Sequence, residues 1–187
     1  MDVERTRLEG LIVLPPRRFG DERGWFSETY SRRILADAGI ECDFVQDNHS
    51  FSIPRHTLRG LHCQRPPHSQ AKLVRVAQGS VLDVAVDIRA GSPTYGQHVA
   101  IELSAENGRQ LFVPEGFLHG FLTLEPETAF LYKCSDYYAP ECEAAIAWDD
   151  PTLAIDWPAT REQVCLSPKD RAAAPVSAFE TPFRYEG

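Results

Sequence analysis

The chain has 187 residues, with 19 Lys+Arg against 27 Asp+Glu and a formal net charge of −8. An apolar content of 43% and a charged content of 25% exclude a disordered chain. The acidity argues against general nucleic-acid or anionic-membrane binding. No apolar run approaches the roughly 18 residues that would cross a bilayer, and Met1-Asp2-Val3-Glu4 has no leader character. One cytoplasmic domain spanning 1–187 is therefore expected, without membrane or nucleic-acid partners.

In chain order, Gly10–Pro15 and Gly24–Tyr30 read as strands. Ser31–Ala38 reads as the one convincing helix, with Ser31 as N-cap and Gly39 closing it. Asp43–Asn48, Leu58–Gln64, Lys72–Ala77, Val81–Ile88, His98–Leu103, Leu111–Val113, Phe121–Leu124 and Phe130–Cys134 complete about ten strands. A short helical turn is expected near Ser167–Arg171. The 12 Gly and 14 Pro cut the chain into short pieces, and turns such as Gln78-Gly79-Ser80 separate them. Short strands with frequent turns predict a mainly β protein, a jelly-roll barrel with a few short helices. Strand–helix alternation and glycine-rich phosphate loops are both absent from the sequence, which removes the common nucleotide-binding folds.

The five cysteines, Cys42, Cys63, Cys134, Cys142 and Cys165, form no Cys-x-x-Cys pair, so neither a zinc knuckle nor a disulfide framework is indicated. Free thiols suit a reducing compartment. A barrel with histidines suggests a metal site, but the residue two beyond His62 is Gln64, and His68 follows only behind Pro66-Pro67. His119 would serve as a distant ligand, yet the near pair is missing, and a metal is not expected.

Of the basic residues only Lys72, Lys133 and Lys169 are lysines. Strand alternation puts His62 on one face with Gly60 and Gln64, Lys72 with Val74 and Val76, and Tyr132 with Phe130 and Cys134. An imidazole, an ammonium and a phenol on apolar-flanked faces would converge inside a barrel. The alternative is that they sit at the rim in solvent, or are satisfied in the core. Arg17, Arg18, Arg23, Arg32, Arg33, Arg59, Lys72 and Lys169 are expected to gather into one positive pocket, against the alternative of scattered, solvated charges.

Several segments together carry a family resemblance. They are Asp21-Glu22-Arg23-Gly24-Trp25-Phe26-Ser27-Glu28, Gln46-Asp47-Asn48, Leu58-Arg59-Gly60-Leu61-His62 and Gln70-Ala71-Lys72-Leu73-Val74-Arg75-Val76. Asp83-Val84-Ala85-Val86-Asp87-Ile88-Arg89 and Pro114-Glu115-Gly116-Phe117-Leu118-His119-Gly120-Phe121 follow. Tyr132-Lys133, Tyr137-Tyr138, Trp148-Asp149-Asp150-Pro151 and Leu166-Ser167-Pro168-Lys169-Asp170 close the set. In this order they resemble the dTDP-4-dehydrorhamnose 3,5-epimerase family.

The resemblance implies a cupin-type jelly roll, a homodimer, and no metal or organic cofactor. It implies inversion of C3 and C5 of a dTDP-4-dehydro-6-deoxy-D-glucose substrate, on the route to dTDP-L-rhamnose. Carried over residue by residue, His62 is the general base, Asp170 its orienter, Tyr132 the acid on the opposite face, and Lys72 the partner of the C4 oxygen. Arg23, Phe26, Glu28, Gln46, Asn48, Arg59, His119, Tyr138, Glu143 and Lys169 become substrate contacts.

The chain departs from the family pattern at Cys63, Ala145 and Trp25. Cys63 is expected to change packing alone, since alternation turns it from the face of His62. Leu11–Leu14 is a candidate exchange or pairing element for a dimer. Two alternatives stand beside the epimerase reading: an enzyme inverting one centre of a related 4-keto sugar nucleotide, and a non-catalytic sugar-nucleotide binding module.

Overall fold

The structure is a computed structural model describing residues 3–186; Met1 and Asp2, part of the stretch read for a leader, and Gly187 lie outside the described residues. Its strands are β1 (Glu4–Arg5), β2 (Ile12–Leu14), β3 (Arg18–Asp21), β4 (Gly24–Ser27), β5 (Gln46–Ser52), β6 (Leu58–Gln64) and β7 (Lys72–Gln78). They continue with β8 (Ser80–Asp87), β9 (His98–Ser104), β10 (Gln110–Val113), β11 (Phe117–Thr123), β12 (Thr128–Cys134) and β13 (Glu143–Ala145). Two short helices, α1 (Arg32–Asp37) and α2 (Pro168–Arg171), complete the regular elements used below. Among the described residues no helix is long and apolar enough to cross a membrane.

One sheet has six strands in the order β1-β2-β10-β7-β12-β5, the other five in the order β13-β6-β11-β8-β9. Neighbouring strands in both are antiparallel. Residues of both sheets meet in a shared core that includes Val74, Val76, Leu111 and Phe130 from the first and Val81, Ala85, Leu103 and Phe121 from the second. Each Val, Leu or Phe among them is worth about 1.5–3 kcal/mol when fully buried, so apolar faces on facing strands are enough to join the sheets. The mainly β, jelly-roll expectation agrees with this arrangement.

The strand boundaries differ from the sequence reading for identifiable reasons. β5 runs to Ser52 rather than stopping at Asn48, because its residues alternate between a half-buried face (Gln46, Asn48, Ser50) and an exposed one (Asp47, His49, Phe51). β11 begins at Phe117, four residues before the expected start, and is buried along its whole length. Gly120 inside it is no breaker. A Cβ there would meet Arg59 O at 2.8 Å, and one on Gly60, at φ +127°, would meet the Gly120 Cα at 2.6 Å. Glycine is what lets β6 and β11 approach so closely.

α1 sits where the helix was expected, but the Ser31 side chain makes no capping hydrogen bond. Its C-terminus closes on Gly39 (φ +82°), with Gly39 N–H donating to Ala36 O and Ile40 N–H to Leu35 O, the paired bonds of a Schellman end. α2 matches the predicted turn, and here the cap is real: Ser167 Oγ accepts from the Asp170 N–H. β1, β3 and β13 escaped the sequence reading because two to four residues carry too little pattern. β2, which contains most of Leu11–Leu14, is flanked by β1 and β10 of its own chain.

Candidate active site

A cavity of about 300 Å³ opens between the sheets, lined by His62, Arg59, His119, Phe121 and Glu143 on one side and by Ser50, Lys72, Phe130 and Tyr132 on the other. Ser167, Lys169 and Asp170 close it from α2 and its cap. His62 and Tyr132 therefore belong to opposite walls, one on β6 and the other on β12. Lys72 stands on β7 beside Tyr132's strand, its Cα paired with that of Cys134.

Strand alternation alone would send Arg59 and His62 to opposite faces. The register of β6 against β11 resolves this, since His119 pairs with His62 but Phe121 pairs with Arg59. Two residues of β11 thus span three of β6. This bulge turns both the guanidinium and the imidazole into the cavity. Cys63 packs on the other side with Leu61, Ala144 and Ile146, and burial pushes its thiol up to about 11. Ala145 is the register partner of His62 on β13.

His62 Nε2 lies 2.5 Å from Asp170 Oδ1. Burial opposes ionisation of Asp170, but hydrogen bonds from His62 and from Ser167 Oγ (2.7 Å) outweigh it and hold the carboxyl below its usual range. An ionised Asp170 accepts, which assigns the proton to Nε2 and leaves the lone pair on Nδ1. The Lys72 ammonium makes no hydrogen bond or ion pair among the described residues, and burial pushes its pKa down. Burial likewise raises the pKa of the Tyr132 phenol, keeping its proton in place at neutral pH. Phe121 and Phe130 stack at 4.0 Å between ring centroids to form an apolar floor.

A second imidazole–carboxylate pair lies deeper. His119 Nε2 is 2.9 and 3.0 Å from the two oxygens of buried Asp83. At the rim, the Glu143 carboxylate takes a hydrogen bond from Tyr138 Oη (3.1 Å) and an ion pair from Lys169. Burial opposes ionisation of Glu143, yet these partners keep its pKa lowered. Among the described residues no group of three or more His, Cys, Asp or Glu side chains is arranged to hold a metal.

Comparison with known proteins decides what this cavity belongs to. The sequence profile of the family described as dTDP-4-dehydrorhamnose 3,5-epimerase matches residues 5–178. The chain belongs to the dTDP-4-dehydrorhamnose 3,5-epimerase family. It is 51% identical over 177 residues to the dTDP-4-dehydrorhamnose 3,5-epimerase of Salmonella typhimurium, covering 94% of this chain and 95% of that one. It superposes with a TM-score of 0.94 on a dTDP-6-deoxy-D-glucose-3,5-epimerase from Legionella pneumophila in complex with dTDP-4-keto-L-rhamnose. That structure is 47% identical, with 100% and 99% of the two chains covered. A dTDP-4-dehydrorhamnose 3,5-epimerase from Bacillus anthracis with TDP and PPi bound gives 0.90 at 45% identity, covering 93% and 98%. The fold is therefore the cupin-type jelly roll of this epimerase family.

Of the family contacts carried onto the sequence, Arg59, His119, Glu143 and Lys169 line the cavity together with His62, Lys72, Tyr132 and Asp170. Gln46 and Asn48 lie just outside it on β5, where Gln46 Nε2 donates to Asn48 Oδ1 and Asn48 Nδ2 approaches Cys134 Sγ at 3.6 Å. Tyr138 is exposed at the rim. Arg23, Phe26 and Glu28 do not join the epimerase cavity of their own chain. Arg23 pairs with Asp21 on the β3–β4 hairpin, Phe26 is 67% exposed there, and Glu28 lines a separate groove of about 490 Å³.

The single positive pocket expected of the arginines is likewise corrected. Arg17 lines that groove, Arg18 donates to the Ala105 and Glu106 carbonyls, and Arg32 pairs with Asp43. Each finds a local acceptor or solvent before any long-range cluster forms. Trp25 is 61% exposed, with the Arg18 guanidinium 4.3 Å over its ring. Two residues had no role in the sequence reading. Asp83 was detectable as a carboxylate on a core-facing position of β8, and Ser167 as the first member of a Ser-x-x-Asp cap.

Proposed function

We infer that this chain epimerises dTDP-4-dehydro-6-deoxy-D-glucose at C3 and C5 to dTDP-4-dehydro-L-rhamnose, a step of dTDP-L-rhamnose biosynthesis. The observation carrying the mechanism is that His62 and Tyr132 face one cavity from opposite sheets. Both C3 and C5 flank the C4 ketone, so loss of either C–H gives an enolate with its charge on the C4 oxygen. His62 takes the proton through Nδ1, while Asp170 holds the ring and stabilises the imidazolium. Lys72 meets the developing oxyanion in a partly desolvated site, where such a charge is strengthened. Tyr132 returns a proton to the other face of the carbon, and solvent resets both groups.

Arg59, His119, Glu143 and Lys169 serve as substrate contacts. Residues 1–187 act as one epimerase domain without metal or organic cofactor. A homodimer accounts for Arg23, Phe26 and Glu28, because the exposed β3–β4 hairpin would then reach the partner subunit's cavity. Five free cysteines support a reducing, cytoplasmic setting.

Proton NMR of the keto-sugar nucleotide incubated with enzyme in deuterated water tests the reading. Deuterium at both C3 and C5 with conversion to the L-sugar is the expected result. Exchange at one centre would give the single-centre alternative, and no exchange would leave a binding module.

A further inference from the structure

Gln64 shares β6 with His62 but turns its amide out of the cavity. It is only 5% exposed, and all of its bonding goes to backbone. Gln64 Nε2 donates to His68 O (2.6 Å) and to Tyr137 O (3.1 Å), while its Oε1 accepts from the Ala139 N–H (2.9 Å). The residue between those last two, Tyr138, gives its own N–H to Gln46 Oε1 at 3.0 Å. Three consecutive residues are thus held by two glutamines, one on each sheet. The loop they grip leaves β12, which carries Tyr132, and leads to β13, which carries Glu143. Tyr138 Oη and Lys169 both donate to the carboxylate of Glu143, a cavity-lining residue, which ties the Tyr138 side chain to the rim.

We propose that Gln64 is a positioning residue for the dTDP group: it fixes Tyr138 at the cavity rim from both neighbouring residues, and so governs nucleotide binding rather than C–H cleavage. The inference rests on the epimerase reading for the identity of the ligand. Its physical basis is that a buried amide using both donor and acceptor has no substitute of the same shape. Methionine would leave two carbonyls and one N–H without partners, and glutamate would set a carboxylate against the carbonyls of His68 and Tyr137. Either change releases the backbone on both sides of Tyr138. Neither touches His62, whose partner Asp170 arrives from α2.

The test is a double-mutant cycle read by calorimetric titration with dTDP, using Gln64→Met, Tyr138→Ala and the double variant, with Gln64→Glu as a second replacement should methionine prevent folding. Each single variant is expected to weaken dTDP binding about tenfold, and the double variant to bind no more weakly than Tyr138→Ala alone. At saturating substrate, the Gln64 variants are expected to keep kcat and its pH profile within about threefold of wild type. Unchanged dTDP affinity in both Gln64 variants would overturn the proposal, as would losses that multiply in the double variant. Because dTDP binding needs no turnover, an inactive wild-type enzyme that binds dTDP would refute the reaction while leaving this cycle readable.

Discussion

His62 and Asp170 are 108 residues apart in the chain, yet Nε2 of one and Oδ1 of the other lie 2.5 Å apart. Asp170 is fixed from its own side by the Ser167 cap, which receives its N–H and donates to its second carboxylate oxygen. The imidazole tautomer is thereby set by an element that shares no strand with it. Asp170→Asn keeps the shape but presents an amide that no longer demands the Nε2 proton. The expected result is a loss of about 10²–10⁴ in solvent exchange at C3 and C5, with His62→Ala at least as severe. Exchange at the wild-type rate in either variant, followed by proton NMR in deuterated water, would remove the dyad from the mechanism.

Tyr132 faces His62 from the other sheet, so removal and return of the proton are separable. Tyr132→Phe is expected to retain deuterium exchange while net inversion falls by about 10²-fold or more. Parallel loss of exchange and inversion in the same NMR experiment would contradict that division of labour.

Lys72 makes no ion pair or hydrogen bond among the described residues, and the Asp83 and Glu143 carboxylates act on it only at longer range, which suits a charge awaiting an oxyanion. Lys72→Met is expected to cost about 3–4 kcal/mol in the barrier, read as kcat lowered by roughly 10²–10³ with a smaller change in dTDP affinity. A kcat within a few-fold of wild type would assign the C4 oxygen to another group.

The hairpin bearing Arg23 makes a mixing experiment informative. On the proposed homodimer, the Arg23→Ala and His62→Ala variants are each expected to be nearly inactive. Subunit exchange between them then restores one intact site per mixed dimer, measurable as epimerisation that neither parent supports. Absence of recovery, with exchange verified by native mass spectrometry, would leave Arg23 without a site across the interface.

Stability against acid is concentrated elsewhere. Asp87 is fully buried; burial opposes its ionisation, but bonds from Arg89, Ser92 and Thr94 outweigh it and hold its pKa down to about 2. A depressed folded-state pKa contributes stability above the unfolded value near 3.9, and that contribution is lost as pH falls toward about 2. It amounts to about 2–3 kcal/mol at pH 7. Asp87→Asn is expected to lower stability at pH 7 by at least this amount and to flatten the stability profile between about pH 4 and 2. Urea unfolding across that range measures both.

Much of this protein was determined by its sequence acting locally. Apolar, β-branched runs bounded by turns made Lys72–Ala77 and Val81–Ile88 recognisable as strands, and alternation turned Lys72 and Tyr132 to the correct faces, because both signals depend only on neighbouring residues. Gly39 marked the end of α1 for the same reason, while the equally local Ser-x-x-Asp cap of α2 was not used in the sequence reading. Family-specific segments then named the chemistry. What tertiary structure alone decided are the relations between distant segments. The β6 bulge brings Arg59 beside His62, paired glycines allow β6 to approach β11, and Asp83 finds His119. Each depends on the register between strands far apart in the chain, and register is set by the packing of whole sheets rather than by any single stretch of residues.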